Sequence, residues 1–239
     1  MKPNEILDDL QNGYYIIQSN DGFKFGVDAV LLADFAKCRA KRAIDLCTGT
    51  GIVPILIAAK TGIQHIDAVE IQPDMADMAS RSVRYNGLEN RIHIKNADLK
   101  QAAAIYGKGS FDMLTVNPPY MKAGSGLLNS GDSRTLARHE ISCTLDDVIR
   151  VSSELLMPQG KFFMVHRPSR LADIFCTMRK YSIEPKKMRL VAPREGKEMN
   201  LVLIYGLRNG NPELKVMPPL YIYNSDGNYS KEIDDIYGR

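Results

Sequence analysis

The strongest constraint on this chain is an alternation that runs from residue 43 to residue 208. Short apolar, β-branched runs take turns with stretches whose apolar residues recur at helical spacing. AIDLC (43–47) reads as a strand, and IVPILIAAKTG (52–62) as a helix closed by a glycine. HIDAVEI (65–71) is a strand, and residues 73–85 form a helix opened by a proline and followed by Asn86-Gly87. RIHIKNAD (91–98) and FDMLTVNPP (111–119) read as strands, 145–157 as a helix, KFFMVHR (161–167) as a strand and 169–181 as a helix. KKMRLVA (186–192) and LVLIYGLR (201–208) are the last two strands. Such alternation predicts an α/β fold: a seven-stranded, mostly parallel sheet with helices on both faces. Only residues 193–200 separate the last two strands, too few for a parallel crossover, so the last strand is expected to be antiparallel.

Ahead of this core, residues 1–22 are polar and turn-rich with one strand-like piece, YYIIQ (14–18). VDAVLLADFAK (27–37) has helical spacing. A single domain over 1–239 is expected: an N-terminal extension (1–40), the core (41–208) and a tail (209–239) whose PPLYIY packs on the core. Apolar residues make up 44% and charged residues 25%, which excludes a disordered chain. A net charge of +3 is compatible with a nucleic-acid partner. Cys38, Cys47, Cys143 and Cys176 form no C-x-x-C pair and lie near no histidine at ligand spacing, so no metal is expected. The start, MKPNEILDDL, lacks the apolar run of a signal peptide. The longest apolar run, 52–59, contains Pro54 and is too short to span a bilayer. A cytoplasmic, non-membrane location is expected, with no obligate protein partner.

Open α/β sheets bind ligands beyond the carboxyl ends of their strands. The first core strand ends in Asp45-Leu46-Cys47-Thr48-Gly49-Thr50-Gly51, a glycine turn that lets a ligand approach the backbone of a helix start. The second ends in Glu70, nineteen residues after Gly51, a spacing suited to ribose hydroxyls. The third ends in Asn96-Ala97-Asp98, an amide and an acid able to read the amino edge of a base. The fourth ends in Asn117-Pro118-Pro119-Tyr120. Each signal alone has an ordinary explanation: a tight turn, a surface acid, a helix cap, a strand terminator. Four consecutive strands ending in what a nucleoside site needs do not. Pro54 stands where a dinucleotide fingerprint has its third glycine, which argues for a nucleoside without a pyrophosphate.

DLCTGTG, Glu70, Asn96-Ala97-Asp98 and NPPY resemble motifs I to IV of the S-adenosylmethionine-dependent methyltransferases with a Rossmann-like seven-stranded sheet, over residues 23–208. NPPY belongs to the branch that methylates planar nitrogens. FKFGVDAVLLADF (23–35) ahead of the first motif, ARHE (137–140) after NPPY and the PPLYIYNSDGNYS tail resemble the bacterial tRNA adenine-N6 methyltransferases that act beside the anticodon of valine tRNA.

The resemblance implies S-adenosylmethionine as cofactor, without a metal. It implies that Asp45, Cys47, Thr48, Gly49 and Gly51 hold the methionine part, Glu70 with Ile71 the ribose, and Asp98 with Leu99 the adenine. Phe25, Gly26, Val27 and Asp28 would close over it. An exocyclic amine is a poor nucleophile because its lone pair is delocalised into the ring. Hydrogen bonds accepted by the Asn117 side chain and the Pro118 carbonyl would favour a lone-pair-bearing nitrogen and aim it. Pro119 would help stiffen that carbonyl, and Tyr120 would stack on a base splayed out of its loop. The tRNA phosphates would meet basic groups around the cleft: Lys122, Arg134, Arg138, His139, Arg167, Lys186, Lys187 and Arg194.

Three enzyme alternatives remain open at this point. A glutamine-N5 methyltransferase of release factors shares NPPY but carries its own helical N-terminal domain. A ribosomal guanine-N2 methyltransferase carries a duplicated or accessory domain. A DNA adenine enzyme needs an inserted recognition region longer than 121–144. The non-enzyme alternative is an RNA-binding module on an inactive fold. Against it, Asn117, Gly49 and Glu70 are all present.

Overall fold

The computed structural model describes residues 1–10, 13–21, 24–119 and 143–238. With elements numbered in chain order, β1 (Glu5–Asp9) and β2 (Tyr15–Ser19) form an antiparallel hairpin of their own. The sequence suggests only the second of these strands, because EILDD carries no clean alternation. The central sheet contains β3 (Arg42–Leu46), β4 (His65–Glu70), β5 (Ile92–Asn96), β6 (Phe111–Val116), β7 (Leu156–His166), β8 (Ile183–Ala192) and β9 (Leu201–Arg208). Their order in space is β8-β9-β7-β6-β3-β4-β5. All neighbours are parallel except β9, which lies antiparallel between β7 and β8. The expected seven-stranded α/β sheet with an antiparallel last strand is therefore present. Two additions, β10 (Lys215–Val216) and β11 (Leu220–Tyr221), pair with the outer side of β8. Two residues are too few to show a period.

Side chains alternate across the sheet as strand geometry requires. Ala43, Ile66, Ile92, Met113, Phe163, Val165, Leu201 and Leu203 point to one face. They pack there with α1 (Val27–Phe35), α2 (Ile52–Lys60), α3 (Pro73–Tyr85) and α7 (Lys231–Tyr237). Ile44, Leu46, Val69, Leu114, Val116, Phe162, Met164, Val202 and Ile204 point to the other face. Their partners are α4 (Ala102–Tyr106), α5 (Leu145–Leu155) and α6 (Leu171–Lys180). Residues 52–58 of α2 are buried all round, which explains a helix without a polar stripe. By contrast, α5 starts with a reciprocal cap between Thr144 and Asp147, and its burial is one-sided. It ends at Leu155, two residues earlier than its apolar spacing suggests. β7 begins at once, with Gln159 in a left-handed conformation (φ 63°) before the regular pairing from Lys161.

Polar side chains of α3 dock the hairpin, supplying backbone partners that a further strand would otherwise give. Ile17 N donates to buried Ser82 Oγ (2.9 Å), and Tyr15 N to Asn86 Oδ1 (2.8 Å), while Asn86 Nδ2 returns a bond to Tyr15 O (2.7 Å). Arg81 grips Glu5 with two nitrogens. The far end of the chain also joins the core. Leu220, Ile222, Ile233 and Ile236 are buried in it, and Arg189 holds Glu232 through both guanidinium branches (2.5 and 2.8 Å). Among the described residues, no helix is long and apolar enough to cross a membrane.

Candidate active site

The chain lays β3, β4 and β5 side by side, then returns to place β6 on the other side of β3. Strand order reverses at that point, and a crevice opens beyond the strand ends. Asp45, Glu70 and Asn117 stand there together: Leu46 pairs with Val116, Asp45 with Thr115 and with Ala68, and Glu70 with Asn96.

Asp45 is 1% exposed. Its Oδ1 accepts from Thr115 Oγ1 at 2.5 Å, while its Oδ2 has no hydrogen-bond partner. Burial pushes this carboxyl up to about 7, against the lowering effect of the Thr115 and Thr48 hydroxyls. The Thr48 hydroxyl is likewise buried and lies near the carboxyl without forming a hydrogen bond of good geometry. Orphaned buried oxygens are rare in folded proteins and mark places where a ligand supplies the missing donor. A cationic amino group would fit Asp45, since it brings both the donor and the opposite charge. Thr115 is a residue that the motifs do not reveal. Its one signal is a hydroxyl inside the apolar run FDMLTV.

The turn after β3 is made by left-handed residues: Cys47 (φ 57°), Gly49 (φ 58°) and Gly51 (φ 88°). At Gly51 a Cβ would also lie 3.2 Å from Ala79 Cβ, so the loop and α3 require glycine there. Cys47 adopts this conformation as a non-glycine residue, which explains why a glycine would sit there more easily. Its thiol is pushed well above the usual range by the neighbouring Cys143 thiol and by burial.

Glu70 is 4% exposed and closes the loop: Oε2 accepts from Gly49 N (2.8 Å) and Oε1 from Gln72 N (2.9 Å). Oε1 also accepts a longer bond from Gln72 Nε2 (3.4 Å), so Oε2 is the oxygen with a second lone pair for a hydroxyl. Ile71, next along, is 39% exposed toward solvent. The Asn96 amide is committed to the fold, donating to Glu70 O (2.8 Å) and Ile71 O (3.0 Å). These bonds spend its nitrogen and fix the orientation of the amide, so only its oxygen is left to face a base. Asp98 caps a short helical turn by accepting from Lys100 N (2.9 Å), and Leu99 is buried in the apolar cluster that also holds Val69 and Val116.

Gln18 ties Phe25–Asp28 to the site. Buried in β2, it bonds Asp8 with its nitrogen and accepts from Phe25 N with its oxygen (2.8 Å). Asp28, in the first turn of α1, then accepts from Asn117 Nδ2 at 3.2 Å. The structure thus brings together the expected cofactor loop, the covering segment and Asn117-Pro118-Pro119. Tyr120, Lys122, Arg134, Arg138 and His139 lie outside the described residues.

The remaining basic candidates are engaged within the fold. Arg167 donates to Asn200 O (3.0 Å), Lys186 to Asn211 O (3.1 Å), Lys187 lies 5.9 Å from the Tyr205 ring centroid and Arg194 5.9 Å from that of Tyr223. Lys187 shares a register row with Asp45, yet β7 and β9 stand between β8 and β6, about 14 Å of sheet. Among the described residues no group of His, Cys, Asp or Glu could hold a metal ion.

Comparisons with known proteins agree with this geometry. The family model of the methyltransferase small domain matches residues 17–179. A tRNA1(Val) (adenine(37)-N6)-methyltransferase of Aeromonas hydrophila is 28% identical over 220 residues, covering 91% of this chain and 89% of that protein. The enzyme of the same name from Aeromonas salmonicida is 30% identical, over 80% of this chain and 79% of its own. A crystal structure from Agrobacterium tumefaciens, described as a predicted O-methyltransferase, superposes with a TM-score of 0.72 at 23% identity. It covers 88% of this chain and 95% of its own.

Proposed function

Since the chain belongs to the methyltransferase small-domain family and is an S-adenosylmethionine-dependent methyltransferase, we propose that it methylates the exocyclic N6 of an adenine in tRNA, beside the anticodon. The observation that carries this proposal is the pairing of β6 with β3, which sets Asn117 just past the Leu46–Val116 pair, at the start of the glycine turn. The names of the similar Aeromonas enzymes support the choice of substrate.

The chain's own groups divide the work. Asp45 Oδ2, with Thr48 at hand, receives the amino group of the cofactor's methionine part, and Gly49 and Gly51 let that part lie against backbone. Glu70 takes the ribose hydroxyls, Asp98 and Leu99 the adenine, and Phe25–Asp28 shield the cleft from water. When bound, S-adenosylmethionine supplies an electrophilic sulfonium methyl. Asn117 Oδ1 and the Pro118 carbonyl accept from the target amine. They hold its two hydrogens out of the ring plane, so that the nitrogen lone pair points away from the ring. No strong base is needed for this, only fixed acceptors. The proline rings lock φ at 118 and 119 and keep that carbonyl in place.

The test is methyl transfer from labelled S-adenosylmethionine to bulk tRNA lacking modifications, with the wild type and Asn117→Ala, followed by separation of the nucleosides. Labelled N6-methyladenosine that falls by roughly a hundredfold or more in the variant is expected. Absence of label in tRNA, or label in another nucleoside, overturns the proposal. Ribosomal RNA and release factors assayed in parallel identify the alternative substrate.

A further inference from the structure

The contact between Asn117 and Asp28 links residues 89 positions apart, and holding a cofactor does not by itself require it. An amide has a donating end and an accepting end, and the two are nearly the same shape. A carboxylate only accepts. With Asp28 Oδ2 against it, the Asn117 side chain must present its nitrogen to α1, because the flipped amide would set oxygen against oxygen. Its oxygen is thereby turned the other way.

The carboxylate is itself fixed. Its Oδ1 accepts from Ala29 N (2.9 Å), the following residues Ala29 to Ala33 are buried, and Phe25 N is anchored on buried Gln18. Gly26 is part of this arrangement, since a Cβ there would stand 2.7 Å from Asp28 Oδ1. A negative charge on the donor side also polarises the amide and strengthens its oxygen as an acceptor.

We infer that Asp28 is a positioning residue that fixes the Asn117 amide with its oxygen toward the substrate amine. This inference rests on the role proposed above for Asn117. It gives the segment ahead of the core a task beyond covering the cofactor: its first helical turn sets the orientation of the group that touches the substrate. In the absence of the carboxylate, α1 no longer distinguishes the two ends of the Asn117 amide, and the flipped orientation offers hydrogens to a group that already carries hydrogens.

Asp28→Asn tests this with almost no change of shape, because the new amide accepts either end of Asn117. The expected result is a fall in kcat of roughly tenfold to a hundredfold, larger than any change in the Kd for S-adenosylmethionine. Combined with Asn117→Ala, the change adds no further loss, since Asp28 acts through Asn117. The exchange Asn117→Asp with Asp28→Asn restores a donor–carboxylate pair in reverse and recovers activity over either single variant. Asp28→Ala serves if Asp28→Asn melts early. Unchanged kcat in Asp28→Asn overturns the inference, as does a loss confined to cofactor affinity or one that multiplies with that of Asn117→Ala. Full activity of Asn117→Ala alone would instead remove the role on which the inference rests.

Discussion

Asp45→Asn isolates the cost of burying the carboxylate at the centre of the site. In the unfolded chain this group titrates near its ordinary 3.8; in the fold, burial raises it to about 7. Between these values the folded state holds a proton that the unfolded state has lost, so its stability falls as pH rises. Below pH 4 both states are protonated and there is no penalty; above pH 7 the penalty is complete. A gap of about three pH units at about 1.4 kcal/mol each sets the full effect at about 4 kcal/mol. Asparagine keeps an oxygen for the Thr115 hydroxyl and carries no charge. Its NH2 group meets the same surroundings at every pH, a constant offset that drops out of the comparison. Urea unfolding without cofactor, at pH 4 and pH 8, is the assay. Asp45→Asn is expected to gain about 4 kcal/mol on the wild type between the two, to within a factor of two. A difference between variant and wild type that stays flat across this range would refute the reasoning. Cofactor binding gives an independent check: a cationic group on Asp45 favours the ionised form. Affinity then rises up to about tenfold per pH unit on the way to pH 7 and levels off beyond.

Three further outcomes follow from the same geometry. Burial, with the Arg170 charge next in effect, lowers His166 from 6.5 to about 4, so the folded state binds fewer protons in that window and loses stability on acidification. His166→Gln should remove about 2 kcal/mol of this acid loss between pH 7.5 and pH 5, since about 1.5 pH units of the window lie below 6.5; melting temperatures at the two pH values read it, and equal losses in both proteins would refute it. Gly51→Ala forces a side chain into the left-handed region and onto Ala79, costing about 1–2 kcal/mol from the backbone alone, and weakens cofactor binding in a titration calorimeter; an unshifted melt would contradict it. Ser82→Ala leaves the buried Ile17 N–H without an acceptor, a loss of about 1–3 kcal/mol that should appear as faster hydrogen exchange at Ile17, and unchanged exchange would show that the hairpin docks by other means.

The sequence displays the parts of this molecule that repeat a period or end abruptly. The sheet is legible because strands such as Phe162 to Val165 place alternate residues on two apolar layers, and the antiparallel β9 because only eight residues precede it. The strand-end acids, the glycine turn and Asn117 are legible because chemistry restricts them to few residue types. What escapes is set by contacts between distant residues. β1 is held by Arg81 and its hairpin partner rather than by apolar alternation. Thr115 looks like any strand threonine until Asp45 is seen beside it. Nothing in the sequence shows that the Asn96 nitrogen is spent on the Glu70 and Ile71 carbonyls. The basic run from Lys186 to Lys197 reads as an RNA surface, and nothing in it shows that most of its side chains also have partners in the fold. Four of its five side chains, those of Lys186, Lys187, Arg189 and Arg194, lie against Asn211, Tyr205, Glu232 and Tyr223.

The antiparallel strand also governs how the molecule can be assembled. β7 and β8 are consecutive strands of the sheet, yet they do not touch; β9, made after both, is wedged between them. While the chain is being synthesised, β8 therefore has no place in the sheet until the segment from Leu201 onward has emerged. The half of the sheet that carries Asp45, Glu70 and Asn117 needs no such delay, because β3 to β6 pair with one another. Folding in two stages is the expected consequence: a half carrying the candidate site that forms early, and a closing half that waits for one late strand to slot home.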